Sequence, residues 1–140
     1  MGGILHVQNG DSIQRSHKKV IKNLFSHHFP NLNYESILKK LKILKIKDIY
    51  TYCITEFYYR IKNNNFFPEI AHKFTQHEVP YNIRSNNINE PFPRVNTIRI
   101  NYNYQIPHNW NNLNQNIKSC ENLGRFKSTL KEYLLSMYAE

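Results

Sequence analysis

The sequence predicts a mainly α-helical protein, a helical bundle followed by a short extended or β element and a C-terminal helix. Three observations carry this prediction. Apolar residues recur every three or four positions in several segments, most clearly over residues 46–62. Residues 78–97 are rich in Pro and Asn, which interrupts the helical pattern. Apolar and polar residues then alternate over residues 98–104, as in a half-buried strand.

The first helix is expected to begin near Asp11 or Ser12, either of which is a plausible N-cap. Residues 1–10 contain three glycines and are expected to form a loop or a frayed end. An apolar face follows at helical spacing, formed by Ile13, Val20, Ile21 and Leu24. Pro30 helps to end this segment.

Two further helices are expected, a short one from Tyr34 to about Lys42 and a longer one from about Ile46 to Lys62. The longer helix has an apolar stripe over four turns, made of Ile46, Ile49, Tyr50, Cys53, Ile54, Phe57, Tyr58 and Ile61. We expect Tyr50, Phe57 and Tyr58 to lie in the core and Cys53 to be a buried free thiol. Pro68 is expected to start a short helix through Phe74.

The second half of the chain is expected to hold a connector, a strand and a closing helix. The strand pattern comprises Ile98, Ile100, Tyr102 and Tyr104. Pro107 is expected to start a helical turn around Trp110, which would anchor a small C-terminal core. The last helix would begin near Ser119 or Glu121, with an apolar face of Leu123, Phe126, Leu130, Tyr133, Leu134 and Met137. We therefore expect the chain to divide into residues 1–77, a helical unit, and residues 78–140, a connector with a strand and a C-terminal helical cap. The two parts are either separate units or one packed domain.

The charge of the chain favours a polyanionic partner. The sequence has nineteen Lys and Arg residues and ten Asp and Glu residues, which gives a formal net charge of +9. Four cations share one face of the first helix: Arg15, Lys18, Lys19 and Lys22. A second cluster follows, made of Lys39, Lys40, Lys42, Lys45 and Lys47, and the connector region holds Arg84, Arg94 and Arg99. Each group is either a phosphate-contacting surface or an ordinary solvated face.

Several other classes of function receive no support from the sequence. Cys53 and Cys120 form no CxxC pair, and the seven histidines lack metal-ligand spacing, so we expect no metal and no cofactor. No apolar run approaches the ~18 residues of a membrane span, and no secretory signal is visible. The expectation is an intracellular protein, nuclear or cytoplasmic, without a membrane partner.

Several short motifs follow one another along the chain. Gly2-Gly3 looks like the end of a Trp-Gly-Gly turn. Residues 17–22 (HKKVIK) resemble a QKRAIR helix, and residues 38–50 (LKKLKILKIKDIY) resemble an FKKLKILKLKDLY stretch. Residues 81–84 (YNIR) are similar to YNTR. In this order the motifs resemble the C-terminal region, from the thumb onward, of non-LTR (LINE, jockey-like) retrotransposon reverse transcriptases.

The resemblance continues to the end of the chain, so that it covers about 120 residues in the family's order. Residues 93–96 (PRVN) stand where PRxRT is usual, and residues 106–113 (IPHNWNNL) are similar to GPKLWNSLP. Residues 126–135 (FKSTLKEYLL) resemble the closing FKKKLKEYLL. Three positions depart from the family pattern: Ile83, Ile106 and Asn114, which replace Thr, Gly and Pro.

The resemblance implies a thumb-like helical unit in residues 1–77 that contacts the backbone of RNA or DNA. The parent enzyme is an RNA-directed DNA polymerase whose palm carboxylates hold two metal ions. Here the only Asp residues are Asp11 and Asp48, which are unpaired, so we expect binding without catalysis, with a separate polymerase core as a further expected partner. The alternative is a domesticated or remnant small helical protein that acts in protein–protein interaction. The sequence gives no oligomeric state.

Overall fold

The structure is a computed structural model that describes residues 2–64, 67–74, 88–91 and 101–139, with the backbone alone for residues 2–9 and 64. Within these ranges it holds helices and no strand, so the mainly α-helical class is confirmed. The helices are α1 (Gly2–Phe25), α2 (Tyr34–Leu41), α3 (Ile46–Asn64), α4 (Pro68–Ala71), α5 (Tyr102–Asn111), α6 (Gln115–Lys118) and α7 (Leu123–Ser136).

Helix α1 begins earlier than the sequence suggested. It starts at Gly2, so the expected loop over residues 1–10 and the N-cap at Asp11 or Ser12 are both wrong. A glycine inside a helix costs only about 1 kcal/mol relative to alanine, so it does not end a helix that continues on both sides. Asp11 and Ser12 are exposed residues within the helix.

The predicted strand is wrong where it is described, because Tyr102 and Tyr104 lie in α5. The side chain of Asn101 caps this helix by accepting a hydrogen bond from the Asn103 N–H at 2.9 Å. The buried residues of α5 include Tyr104, Pro107 and Trp110, which recur every three positions as expected for a helix. The alternation of apolar and polar residues up to Tyr104 suggested a strand instead. The rest of the predicted element, residues 92–100, lies outside the described residues.

The chain forms two compact units. The first contains residues 1–52 and 129–140, and the second contains residues 53–128. The chain passes from one unit to the other within α3 and again within α7. The expected boundary between residues 77 and 78 lies outside the described residues and stays a prediction.

The first unit is built on α2, whose two ends are both capped. The Asn33 side chain accepts a hydrogen bond from the Ser36 N–H at 2.9 Å at the start of the helix. At its end Lys42 adopts the left-handed conformation (φ 54°), and the Ile43 N–H donates to the Leu38 carbonyl at 2.9 Å. Among the side chains that the structure describes in this unit, the buried apolar residues are Ile21, Tyr34, Ile37, Leu38, Leu44, Leu130, Leu134, Leu135 and Tyr138.

Aromatic side chains form the core of the second unit. Trp110 is fully buried, as expected, and its ring centroid lies 4.8 Å from that of Tyr58 and 6.2 Å from that of Phe126. The Tyr59 ring stacks on Phe126 at 4.1 Å. Such aromatic pairs add to the free energy gained from burying their area. Phe74 completes the cluster by an edge contact with Tyr58 at 5.7 Å.

The buried face of α3 differs from the predicted stripe. Tyr58 and Ile61 are buried as expected, but Tyr50 is 50% exposed and Cys53 is exposed rather than a buried thiol. Thr55 and Tyr59 are buried in their place. The Tyr59 hydroxyl donates a hydrogen bond to the Cys120 carbonyl at 2.7 Å, so a tyrosine with a polar end is accommodated in the core.

The last helix, α7, buries most of the apolar residues predicted for it, but at its C-terminal end a different residue is buried. Phe126, Leu130 and Leu134 are buried as expected, and the helix begins at Leu123. Met137 was placed on the apolar face but is 59% exposed. Tyr138 is buried instead, because its hydroxyl contacts the start of α3.

We expect Phe126→Ala to lower the free energy of unfolding by about 3–5 kcal/mol, because the stacked ring is lost and a cavity remains. Urea unfolding followed by the fluorescence of Trp110, the single tryptophan, would measure the change in this core. Tyr102→Ala is the matched control, since Tyr102 is 50% exposed. Equal effects of the two substitutions would contradict the packing described for Phe126.

Burial also raises the pKa of Tyr58 from 10.0 to about 12, so the unfolded chain releases this proton at a lower pH than the folded protein. The contribution of Tyr58 to stability is complete below pH 10 and is lost as the pH rises from 10 to 12. In urea titrations over this interval, we expect the parent to lose about 2 kcal/mol more than Tyr58→Phe. Tyr50→Phe, at an exposed position, should behave as the parent.

Candidate nucleic-acid interface

The basic face predicted for the first helix is present on α1. Arg15, Lys18, Lys19 and Lys22 are all exposed. At about 100° per residue, the four side chains fall within roughly 100° of the helix circumference. The Arg15 guanidinium stays close to the helix, where it donates to the Asp11 carbonyl at 3.3 Å. One face of α1 therefore presents four positive charges over two turns.

The acidic residues near this face are held by other groups. Asp11 pairs with Lys47 at 3.3 Å, and Asp48 accepts a hydrogen bond from the Tyr138 hydroxyl at 2.6 Å. Glu35 pairs with Lys45 at 2.7 Å. Within the described part of the chain, no ion pair therefore joins a carboxylate to any of the four cations of α1.

Glu35 is an ionised carboxylate with three cationic or donor neighbours. The Lys45 hydrogen bond and then the Ala139 N–H, at 2.9 Å, hold the pKa of Glu35 below its usual value. Lys18 adds a smaller attraction. Lys45 and Lys47 belonged to the second predicted cluster, and their ammonium groups form ion pairs, half-buried for Lys45–Glu35 and exposed for Lys47–Asp11.

The remaining cations of the second cluster lie on and after α2. Lys40 is exposed, and its ammonium group sits 4.7 Å from the centre of the Phe29 ring. Lys39 is half-buried and lines a shallow recess of about 360 Å³ with Leu32, Ser36 and Lys40. Lys42 is exposed at the left-handed C-cap. These side chains lie toward the C-terminal end of α2.

The structure brings two cations of α1 to the start of α2. Lys18 and Lys22 line an open pocket of about 330 Å³ with Asn33, Tyr34, Glu35 and Ala139. The Lys18 ammonium group lies 5.8 Å from the centre of the Tyr34 ring. The α1 cations and the two lysines of the second cluster that lie on α2, Lys39 and Lys40, thus belong to one pair of packed helices.

A polar network that the sequence did not reveal positions α1 against its neighbours. The Gln14 amide donates to the Tyr34 hydroxyl at 2.9 Å, and its oxygen accepts from the Ile46 N–H at 3.0 Å. His17 Nδ1 lies 2.8 Å from the same hydroxyl. Burial raises the pKa of Tyr34. Nothing local in the sequence marks Gln14, because its partners are 20 and 32 residues away.

Two further lysines, Lys62 and Lys118, contact other residues of the second unit and do not belong to the basic face. Lys118 is buried and donates to the Asn111 carbonyl at 3.2 Å. Burial and then the charge of Lys62 lower the pKa of Lys118. Burial also lowers the pKa of Lys62, whose ammonium group lies 5.1 Å from the centre of the Trp110 ring.

The predicted cations Arg84 and Arg94, together with Arg99, lie outside the described residues. Their role stays a prediction.

Other kinds of site find no support in the described ranges. Among residues 2–64, 67–74, 88–91 and 101–139, no group of three His, Cys, Asp or Glu side chains is arranged to hold a metal ion. Over the same stretches, no helix combines the length and apolarity needed to cross a membrane.

No protein-family model, curated protein or solved structure matches this chain. The similarity to reverse transcriptase tails therefore rests on the motifs quoted above.

We expect Gln14→Ala to lower the free energy of unfolding by about 1–2 kcal/mol, because both the Tyr34 hydroxyl and the Ile46 N–H lose a partner. Ser16→Ala is the control, since Ser16 is exposed on the same helix. Chemical denaturation would measure both variants. A Gln14 effect no larger than that of Ser16 would show that the bridge does not hold α1 in place.

Proposed function

We propose that this chain binds the phosphate backbone of RNA or DNA through the cations of α1 and of α2 and its C-cap. The contacts would be Arg15, Lys18, Lys19 and Lys22 on α1, and Lys39, Lys40 and Lys42 on and after α2. Ammonium and guanidinium groups contact phosphates without reading bases, so the binding would be independent of sequence.

The observation that carries this proposal is the way charge is divided within residues 1–52, the larger part of the first unit. Residues 1–52 hold nine Lys and Arg against three acids. Each of those acids contacts a partner outside the basic face, namely Lys47, Lys45 and Tyr138. The α1 cations are therefore open to an external anion, and their mutual repulsion would be relieved when phosphates bind.

The resemblance to reverse transcriptase tails supports the same reading. Residues 17–22 and 38–50 carry two of its motifs, and these ranges include most of the cations in the proposal. In such an enzyme the corresponding helices would lie beside the template–primer duplex. We accordingly propose an RNA–DNA duplex as the first ligand to test, with the chain acting as a binding element and not as the polymerase.

The test is fluorescence anisotropy with a labelled RNA–DNA duplex over a series of salt concentrations. We expect the affinity of the parent to fall steeply with salt, because each contacted phosphate releases counterions. In Lys18→Gln/Lys19→Gln/Lys22→Gln, the slope of log K against log salt should become less negative by about 2–3. Glutamine preserves helix propensity, so the substitution removes charge with little effect on α1.

The matched control removes the same number of charges elsewhere. Lys73→Gln/Arg125→Gln/Lys131→Gln changes three exposed cations outside α1 and α2. This variant should keep the parent's slope if the α1 face binds locally. Equal losses in both variants would mean that net charge alone attracts the duplex. A folded parent that does not bind at low salt would contradict the proposal and favour the protein–protein alternative.

A further inference from the structure

The open pocket beside the basic face of α1, at the start of α2, has the size of a small-ligand site. Its volume of about 330 Å³ is at the lower end of the usual range for such sites. The described residues that line it are Lys18, Lys22, Asn33, Tyr34, Glu35 and Ala139. All of them belong to the first unit, so the pocket is formed within one compact unit.

Two lysines of α1 line this pocket from the same side. Lys18 and Lys22 are four residues apart, so they are neighbours on one face of the helix. Both are exposed, and within the described residues neither forms an ion pair with a carboxylate. The Lys18 ammonium group lies 5.8 Å from the centre of the Tyr34 ring, which forms part of the pocket wall. The pocket is therefore bordered by two positive charges that an external anion can reach.

One acid also lines the pocket, but its charge is compensated. The Glu35 Oε1 atom accepts a hydrogen bond from the Lys45 ammonium group at 2.7 Å, and Oε2 accepts one from the Ala139 N–H at 2.9 Å. Each carboxylate oxygen thus already has a donor. Together, the ammonium groups of Lys18, Lys22 and Lys45 and this one carboxylate leave a formal charge of +2 at the pocket.

The walls of the pocket are held by hydrogen bonds of the protein itself. Tyr34 is buried, and its hydroxyl contacts Gln14 at 2.9 Å and His17 at 2.8 Å. The Asn33 side chain accepts a hydrogen bond from the Ser36 N–H at 2.9 Å. A preformed pocket needs little ordering when a ligand binds, so less of the interaction free energy is lost.

The charge and size of this pocket match a terminal phosphate group better than an internal one. A phosphomonoester carries a charge of about −1.5 to −2 at pH 7 and has three acceptor oxygens. An internal phosphate of a nucleic-acid strand carries a single charge and has a sugar on either side. A strand end can enter a pocket, whereas an internal phosphate would have to bring both neighbouring sugars with it.

We propose that this pocket binds the terminal phosphate of an RNA or DNA strand, with Lys18 and Lys22 as its cationic contacts. The proposal rests on the proposed binding of the nucleic-acid backbone, because these two lysines belong both to the pocket and to the basic face of α1. A strand whose end enters the pocket can continue along that face, past Arg15 and Lys19. This continuity favours a nucleic acid over other phosphomonoesters.

The test compares two versions of a short RNA–DNA duplex of about ten base pairs, which is ~34 Å long, so that few internal sites compete with its ends. One version carries 5′-phosphates on both strands and the other carries 5′-hydroxyls, with the fluorescent label at a 3′ end. In fluorescence anisotropy at one fixed salt concentration, we expect the parent to bind the phosphorylated duplex about five- to tenfold more tightly, because the pocket adds charge-assisted hydrogen bonds.

Two variants that remove equal charge separate the pocket from the rest of the basic face. Lys18→Gln/Lys22→Gln removes the two pocket cations and should reduce the preference for the phosphorylated duplex to less than about twofold. Arg15→Gln/Lys19→Gln removes two exposed cations of the same helix that are not among the described lining residues. This control should bind both duplexes more weakly and keep the preference. Circular dichroism would check that both variants keep their helicity.

A titration with inorganic phosphate measures the pocket without nucleic acid. Ionic strength is held constant with chloride, so that only the specific anion changes. In NMR spectra, the amide signals of Asn33, Tyr34 and Glu35 should shift with phosphate in the parent and stay in place in Lys18→Gln/Lys22→Gln.

Three results would overturn the proposal. A parent that binds both duplexes equally would exclude a terminal-phosphate site and leave the proposed function standing. Loss of the preference in both variants alike would assign it to net charge. If the parent binds neither duplex, the proposed function fails as well. Phosphate-dependent shifts would then assign the pocket to another phosphomonoester, such as a phosphoserine peptide, and their absence would leave it without a phosphate ligand.

Discussion

The first unit depends on how the start of α3 satisfies its backbone N–H groups. The first amides of a helix have no partner within the helix, so other groups must accept their hydrogen bonds. The Tyr138 hydroxyl accepts from the Lys45 N–H at 2.7 Å, and the Gln14 side chain accepts from the Ile46 N–H at 3.0 Å. These bonds tie α1 and the chain after α7 to one point, the start of α3.

The same arrangement decides which charges are available at the surface. Asp48 lies in the first turn of α3, where a negative charge is favoured, and it accepts the hydrogen bond donated by Tyr138. Glu35 is held by Lys45 and the Ala139 N–H, while Asp11 reaches Lys47. The acids serve to join elements of the fold, and most of the cations remain at the surface. Because these two ion pairs are made by Lys45 and Lys47, the cations of α1 form no ion pair within the described residues.

The second unit is held together mainly by contacts between aromatic side chains. Trp110, Phe126 and the paired tyrosines Tyr58 and Tyr59 form a small core in which rings stack or meet edge to face. The partners come from α3, α5 and α7, which are far apart in the sequence. Tyr59 and Lys118 each place a polar group beside this core by bonding to a backbone carbonyl. Burial of such groups is tolerated because each has a partner.

The sequence by itself determined the helical class, the extents of α2 and most of α3, the burial of Trp110 and the cationic face of α1. These features depend on local spacing, which a helix converts directly into a face. The pattern did not determine which apolar face would be covered. Ile13, Val20, Leu24, Tyr50 and Met137 all fit a core pattern yet lie exposed, because burial depends on which neighbour packs against each helix.

Tertiary structure alone also decided the polar part of the candidate site. Gln14 and Tyr138 have partners 20 to 93 residues away, so no local motif could mark them. The sequence also did not show which lysines would be paired, since Lys45 and Lys47 stand in the same Lys-rich stretch as Lys40 and Lys42 but have a carboxylate within reach. Periodicity predicts faces, whereas pairing and burial require the positions of residues distant along the chain.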